Sequence, residues 1–326
     1  MERNHILEER IFSLGKNEYN FERIALEVFR FQKKHCAIYS DFISILGITG
    51  ANSIHEIPFL PISFFKTHRV SCSSKEELLF KSSGTTGKDR SEHSLLSKEI
   101  YERSFLSFYK LAIGNPKEHV ILALLPNYVE QGNSSLVYMV DKLIRETESS
   151  LSGFVLDCSN ELKMRYDKSV AQGKKTVILG VSYALLDLAE QCMDLSKAII
   201  VETGGMKGRR KEMTKEELHL KIKEGTGVDF VSSEYGMTEL LSQGYSLHDG
   251  LFRFPNWMKV LIRDVNDPMS YSEKGKTGGI NMIDLANLYS CSFIATQDLG
   301  KIESKGLRLM GRFDLADIRG CNLMVQ

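Results

Sequence analysis

Apolar positions recur with a helical period from Ile6 to about Leu46. Phe21, Ile24, Ala25, Val28 and Phe29 fall at i, i+3, i+4, i+7 and i+8, with Glu22, Arg23 and Glu27 between them. The segment Ile57–Lys66 reads as an extended apolar stretch, because Pro58 and Pro61 each bias the residue before them away from helix. Ser97 is a candidate N-cap for a helix through Tyr101, Phe105, Phe108 and Leu111 that ends near Gly114. A rhythm then sets in. Short apolar runs at 119–125, 154–156, 176–180, 198–201 and 228–231 alternate with helical patterns over 134–145, from near Tyr183, and over 214–223. Such alternation predicts a largely parallel sheet covered by helices. From Phe252 onward short strands and turns such as Glu273–Lys276 and Thr277–Gly279 predict a β-rich subdomain. The expected organisation is a helical segment plus α/β core over 1–250, followed by the β-rich part over 251–326.

In open α/β sheets ligands bind outside the carboxyl ends of the strands. Two loops there combine glycine with polar groups, Glu202–Arg209 and Ser232–Glu239. A third stretch, Lys81-Ser82-Ser83-Gly84-Thr85-Thr86-Gly87-Lys88, has Lys88 and Arg90 at its far end. Its glycines let backbone N–H groups turn toward a phosphate, and its hydroxyls add donors. A Walker A loop is excluded, since two residues rather than four separate Gly84 from Gly87. A polar surface turn remains the alternative reading.

Composition narrows the choice. Lys+Arg and Asp+Glu are each 42 among 326 residues, so the formal net charge is zero and there is no global basic field for nucleic acid or an anionic membrane. The six cysteines have neither Cys-x-x-Cys pairing nor zinc-type spacing with His, and reduced thiols are expected. The first residues lead into a charged helical pattern, and no apolar run reaches membrane-spanning length, which predicts a cytoplasmic protein without membrane insertion.

Taken in order, the motifs resemble the adenylate-forming superfamily of acyl- and aryl-CoA synthetases, luciferases and peptide-synthetase adenylation domains. Ser82–Gly87 resembles its phosphate loop, and Tyr235-Gly236-Met237-Thr238-Glu239 its Tyr-Gly-x-Thr-Glu motif. Thr296-Gln297-Asp298 resembles Thr-Gly-Asp, and Gly311-Arg312-Phe313-Asp314 resembles the Gly-Arg-x-Asp hinge, while Gly278-Gly279 stands where Gly-Glu is usual. Within the superfamily the chain is most similar to the LuxE-type acyl-protein synthetases. That likeness rests on Pro58–Pro61 leading to Phe64-Phe65-Lys66, on Glu202–Arg209, and on the ending Asp317-Ile318-Arg319-Gly320-Cys321-Asn322. The resemblance implies an α/β fold: the N-terminal region of an adenylate-forming enzyme, with a helix-covered, largely parallel sheet and a small C-terminal β-rich subdomain. The usual mobile C-terminal domain and its lysine do not follow the hinge-like motif within this sequence, so that charge is expected from elsewhere.

The resemblance further implies activation of a carboxylic acid, in the first place a fatty acid, by ATP with Mg²⁺, and acyl transfer to a protein cysteine and then to a reductase partner. Ser82, Ser83, Gly84, Thr85, Thr86 and Gly87 would hold the β- and γ-phosphates, with charge from Lys88 or Arg90. Thr238 would bond the α-phosphate and Glu239 would hold Mg²⁺. Tyr235, with Gly236 and Met237 following it, would lie against adenine opposite Gly204 and Gly205. Asp298 would accept from the ribose hydroxyls, with Arg312 assisting. Cys321 is the candidate acyl acceptor, since a thiolate accepts acyl groups well and Arg319 stands two residues away. Two alternatives stay open: an aryl or short-chain acid ligase using CoA or a carrier protein, and a catalytically weak nucleotide-binding subunit that partners another enzyme.

Overall fold

The computed structural model describes residues 2–16, 20–82, 90–125, 132–155, 160–204, 210 and 213–313. The chain divides into two compact units, Ser73–Pro255 and Glu2–Cys72 together with the chain from Asn256 onward.

The first unit is built on a sheet in the order Gly153–Phe154, His119–Leu124, Lys175–Val181, Ala198–Thr203, Val231–Tyr235 and Gly244–Ser246. The first five strands are parallel and the last is antiparallel. Winding reverses at His119–Leu124, the first of these strands in the chain and flanked by later ones on both sides. Parallel strands covered on both faces need unbroken apolar runs rather than alternation. Val120 to Leu124 meet that need, all at most 1% exposed.

The helices follow their local signals. Thr214 and Glu217 form a reciprocal capping box at the start of Lys215–Thr226, satisfying two N–H groups that the helix itself leaves orphaned. Ser134 caps Ser135–Glu146, and Ser97 precedes Lys98–Ala112 without a side-chain capping bond. One expectation shifts: the run at 228–231 is mostly loop, and the strand begins at Val231. Gly227, at φ 76°, ends the preceding helix in the left-handed region, and Phe230 stays half exposed before the chain enters the sheet.

The second unit carries antiparallel strands Met258–Arg263, Gly278–Asp284, Phe293–Glu303 and Gly306–Arg312. Leu60–Pro61 joins Phe293–Glu303 in parallel, so part of the proline-containing segment is extended as expected, while Phe64–Thr67 turns helical. The helical pattern at the N-terminus is broken into His5–Phe12, Phe21–His35 and Ala37–Ile45, with Cys36 extended at ψ 101°.

The division differs from that expected, because residues 2–72 group with the β-rich part rather than with the α/β core. Side chains account for this. Ile24, Ala25, Val28 and Phe29 are at most 1% exposed, and Phe29 meets Phe293 edge to face at 6.3 Å. Fully burying an Ile, Val or Phe contributes about 1.5–3 kcal/mol each. Gln32 Nε2, fully buried, donates to the carbonyls of Asn287 (2.9 Å) and Leu288 (3.0 Å), and Phe12 packs on Trp257 at 5.0 Å.

Candidate active site

The hairpin Leu78–Lys81 and Glu92–Leu95 brackets the glycine- and hydroxyl-rich loop. At its base Ser82 N–H donates to the Ser91 carbonyl, and Ser91 N–H donates to Ser82 Oγ, each at 2.9 Å. Lys81 pairs with Glu92 at 2.7 Å. Arg90 is exposed just beyond. Ser83, Gly84, Thr85, Thr86, Gly87 and Lys88 lie outside the described residues, as do Gly205 and Cys321.

The strand leaving this loop carries a residue that its sequence context does not single out. His93 is 1% exposed, and its Nδ1 lies 2.8 Å from the carbonyl oxygen of Thr238. A carbonyl only accepts, so Nδ1 bears the proton and donates. Burial pushes the His93 pKa down to about 4, with the bond to Thr238 opposing, so the ring is neutral near pH 7. His93 thereby ties the loop-bearing hairpin to the Tyr235–Glu239 motif inside one unit.

Tyr235 closes its strand, with its ring edge-on to Phe252 (5.9 Å) and near-perpendicular to Phe254 (6.3 Å). At Gly236 a Cβ would come within 2.4 Å of Glu234 Oε1, so no larger residue fits without displacing that carboxyl. Gly204, at φ 74°, takes the left-handed conformation where Ala198–Thr203 ends. Glu239 is 6% exposed. Its carboxylate oxygens, with the Thr238 hydroxyl, are the hard donors that Mg²⁺ accepts, so the donor chemistry fits this ion.

Beneath these loops two glutamates sit at the carboxyl ends of neighbouring strands. Glu202 accepts from Ser182 Oγ at 2.7 Å and pairs with Lys215 Nζ at 3.1 Å, and that ammonium also lies 5.0 Å over the Phe252 ring. Glu234 accepts from Thr203 Oγ1 at 2.5 Å. Desolvation pushes the Glu234 pKa up to about 7, the Thr203 bond opposes this, and the Glu202 charge adds to it. Neither glutamate was singled out for chemistry by the sequence. Parallel-strand burial makes them unusual, because glutamates are almost never fully buried unless paired.

In the second unit Asp298 and Arg312 are cross-strand partners, with Arg312 Nε donating to Asp298 Oδ1 at 3.0 Å. Arg312 is largely exposed and Asp298 nearly buried. Beside them runs Arg263, 8% exposed, which donates to the carbonyls of Ile280 (2.7 Å) and Thr296 (2.5 Å) and to Asn281 Oδ1 (2.9 Å). A Cβ on Gly279 would lie 2.5 Å from the Arg263 guanidinium carbon. Glycine at this position leaves the space that Arg263 occupies.

A helix-covered parallel sheet with these loops at its carboxyl ends is the fold of the adenylate-forming enzymes. The open-conformation structure of 2-hydroxyisobutyryl-CoA ligase in complex with 2-HIB-AMP and CoA aligns with 90% of this chain and 70% of its own, at TM-score 0.65 and 11% identity. The thioesterification-state structure of that ligase aligns with 96% of this chain and 69% of its own, at TM-score 0.65 and 12% identity. The ATP-bound RpMatB-BxBclM chimera aligns with 72% of this chain at TM-score 0.51 and 18% identity, and this chain spans 47% of that protein's length. No curated relative matches the chain. The chain belongs to the acyl-protein synthetase LuxE family, whose sequence profile matches residues 3–326. Among the described residues no helix is long and apolar enough to cross a membrane.

Proposed function

We propose that this protein activates a carboxylic acid with ATP to an acyl-adenylate, passes the acyl group to the Cys321 thiol, and hands it to a reductase partner. The observation that carries the reading is the His93–Thr238 bond, which ties the strand following the glycine- and hydroxyl-rich loop to the Tyr235–Glu239 motif. Carboxylates resist nucleophiles because their leaving group is poor, and ATP supplies AMP as a better one. The chain's task is to hold phosphate charge still while the carboxylate approaches. Ser82 to Gly87 would hold the β- and γ-phosphates, with Lys88 or Arg90 supplying charge, and Thr238 the α-phosphate. Glu239 would hold Mg²⁺. Tyr235, followed by Gly236 and Met237, would lie against adenine, opposite Gly204 and Gly205. Asp298 and Arg312 are the proposed ribose partners. Membership of the family supports the acid substrate and the protein acceptor. The ATP and acyl-adenylate named for structures of the same fold support the nucleotide.

The test has two stages. Acid-dependent exchange of pyrophosphate into ATP, screened over acids of graded length, is expected with at least one acid, and silence across the panel refutes the enzyme reading. Thioester labelling is then expected in wild type and Cys192→Ser and lost in Cys321→Ser. A second reading, delivery to CoA, draws on the CoA in the ligase complexes. It is the outcome if exchange occurs while Cys321→Ser still yields acyl-CoA at the wild-type rate.

A further inference from the structure

At the carboxyl end of the first unit's sheet the two faces differ. On one, Ser233 Oγ lies 3.3 Å from His219 Nε2, and Tyr235 packs against Phe252, whose ring lies under the Lys215 ammonium. That face is covered by the helix Lys215–Thr226. Side chains alternate along a strand, so Glu234 points to the other face. Its cross-strand partner is Tyr245, and residues directly opposite in register share a face. Here the cover is the helix Lys98–Ala112. Phe108 and Tyr109 pack on the Tyr245 ring at 5.7 and 6.5 Å, and the hydroxyls of Ser104 and Ser242 share a hydrogen bond at 2.9 Å.

This second face holds polar groups with unused bonding capacity. Gln243 is 5% exposed and Tyr245 is 2% exposed, yet Gln243 Oε1 and the Tyr245 hydroxyl have no hydrogen-bond partner among the described residues. Burial takes away the bonds that water supplied, and folded proteins leave few such groups unsatisfied, so each orphan calls for a partner. The two side chains flank one carboxyl. Tyr245 stands opposite Glu234 in the sheet, and a Cβ on Gly236 would collide with Glu234 Oε1 and lie 3.4 Å from Gln243 Cγ. The bare Cα of Gly236 thus lets the Glu234 carboxyl and the Gln243 side chain meet beside the Tyr235–Glu239 motif, where the α-phosphate would lie.

The chemistry of the orphans selects the ligand. An amide oxygen accepts only, while a phenol hydroxyl donates or accepts. A hydroxyl group can serve both, an ammonium group can serve only as donor, and a plain alkyl chain serves neither. The nucleobase is not the source, because Tyr235, its proposed neighbour, faces the opposite side of the sheet from Glu234. The remaining reactant is the acid. We infer, resting on the acid-activating reading above, that Gln243 and Tyr245 beside Glu234 form a specificity subsite for a hydroxyl group of the carboxylic acid. The preferred substrate is then a hydroxy acid rather than an unsubstituted fatty acid.

The experiment compares butanoate and octanoate, each with its hydroxylated forms, on the whole protein. Thermal unfolding reads binding without turnover, and a hydroxylated member is expected to raise the midpoint above that with its plain partner. Pyrophosphate exchange is expected to favour the same member by at least about tenfold in kcat/KM. Gln243→Met and Tyr245→Phe, which change volume little, should each shrink that preference about tenfold through the KM for the acid. The wild-type comparison decides the matter even where Gln243→Met fails to fold. Equal effects of plain and hydroxylated acids in wild type overturn the inference, as does a preference that survives both substitutions. A rise in the KM for ATP that is alike with every acid also overturns it, by assigning the subsite to the nucleotide. Silence of exchange with every acid refutes the enzyme reading instead, and the thermal comparison of the pairs still decides the subsite.

Discussion

Replacing Glu234 with Gln tests whether a buried carboxyl governs the stability of the first unit. The folded-state pKa is pushed up from 4.5 to about 7, chiefly by desolvation. The folded protein therefore holds this proton more tightly than the unfolded chain does. The associated stability is complete below pH 4.5 and is lost as pH rises toward 7 and beyond. Each tenfold gain in proton affinity corresponds to about 1.4 kcal/mol, so the full effect is about 3 kcal/mol. Gln is neutral at every pH and keeps an oxygen to accept from Thr203. The stability of Glu234→Gln relative to wild type should accordingly grow by about 2.5 kcal/mol between pH 5 and pH 8. Urea unfolding followed by circular dichroism at both pH values measures this, and taking the difference between proteins cancels groups that titrate alike in both. A gap between variant and wild type that stays constant from pH 5 to pH 8 would refute the assignment of a raised pKa to Glu234.

His93 carries the opposite sign. Its folded pKa is lowered to about 4, so the stability it contributes is complete above pH 6.5 and is lost as pH falls toward 4. His93→Asn should abolish that acid-side loss, as unfolding at pH 4.5 and 7 would show. His93→Phe leaves the Thr238 carbonyl without this donor, at a cost of about 1–3 kcal/mol, and should slow pyrophosphate exchange about tenfold, with Asn restoring most of the rate. Thr203→Val removes an effect that holds the Glu234 pKa down, so the alkaline loss of stability should extend to higher pH. Glu239→Gln and Thr85→Ala should each cost about 2–4 kcal/mol of transition-state stabilisation in the exchange assay if they act as proposed, and near-wild-type rates would exclude them.

What the sequence revealed depended on how local its signals were. The unbroken apolar run at Val120–Leu124 and the capping pair Thr214 and Glu217 act within one element, so strand and helix could be read directly. His93 could not be read that way. Its acceptor lies 145 positions away, and no spacing rule connects them. The N-terminal helices were legible as helices but not as part of the β-rich unit, because Gln32 finds its partners more than 250 positions downstream. The signal that could have drawn attention to Glu202 and Glu234 was their position: charged residues inside strand runs of a sheet with two covered faces.

The opposite shifts of His93 and Glu234 share a physical cause with a functional edge. Burial disfavours whichever form is charged, so the imidazole gives up its proton and the carboxyl keeps one. If the Tyr235–Glu239 motif meets a triphosphate as proposed, an ionised Glu234 adds negative charge beside a polyanion, in surroundings too dry to screen it. Nucleotide affinity should then fall as pH passes about 7, and Glu234→Gln should remove that fall while leaving its acid side unchanged. The affinity profile thereby separates two roles for this carboxyl. A purely structural glutamate changes the unfolding free energy with pH and leaves nucleotide affinity flat while the protein stays folded. One that faces the phosphates moves both, in the same pH window.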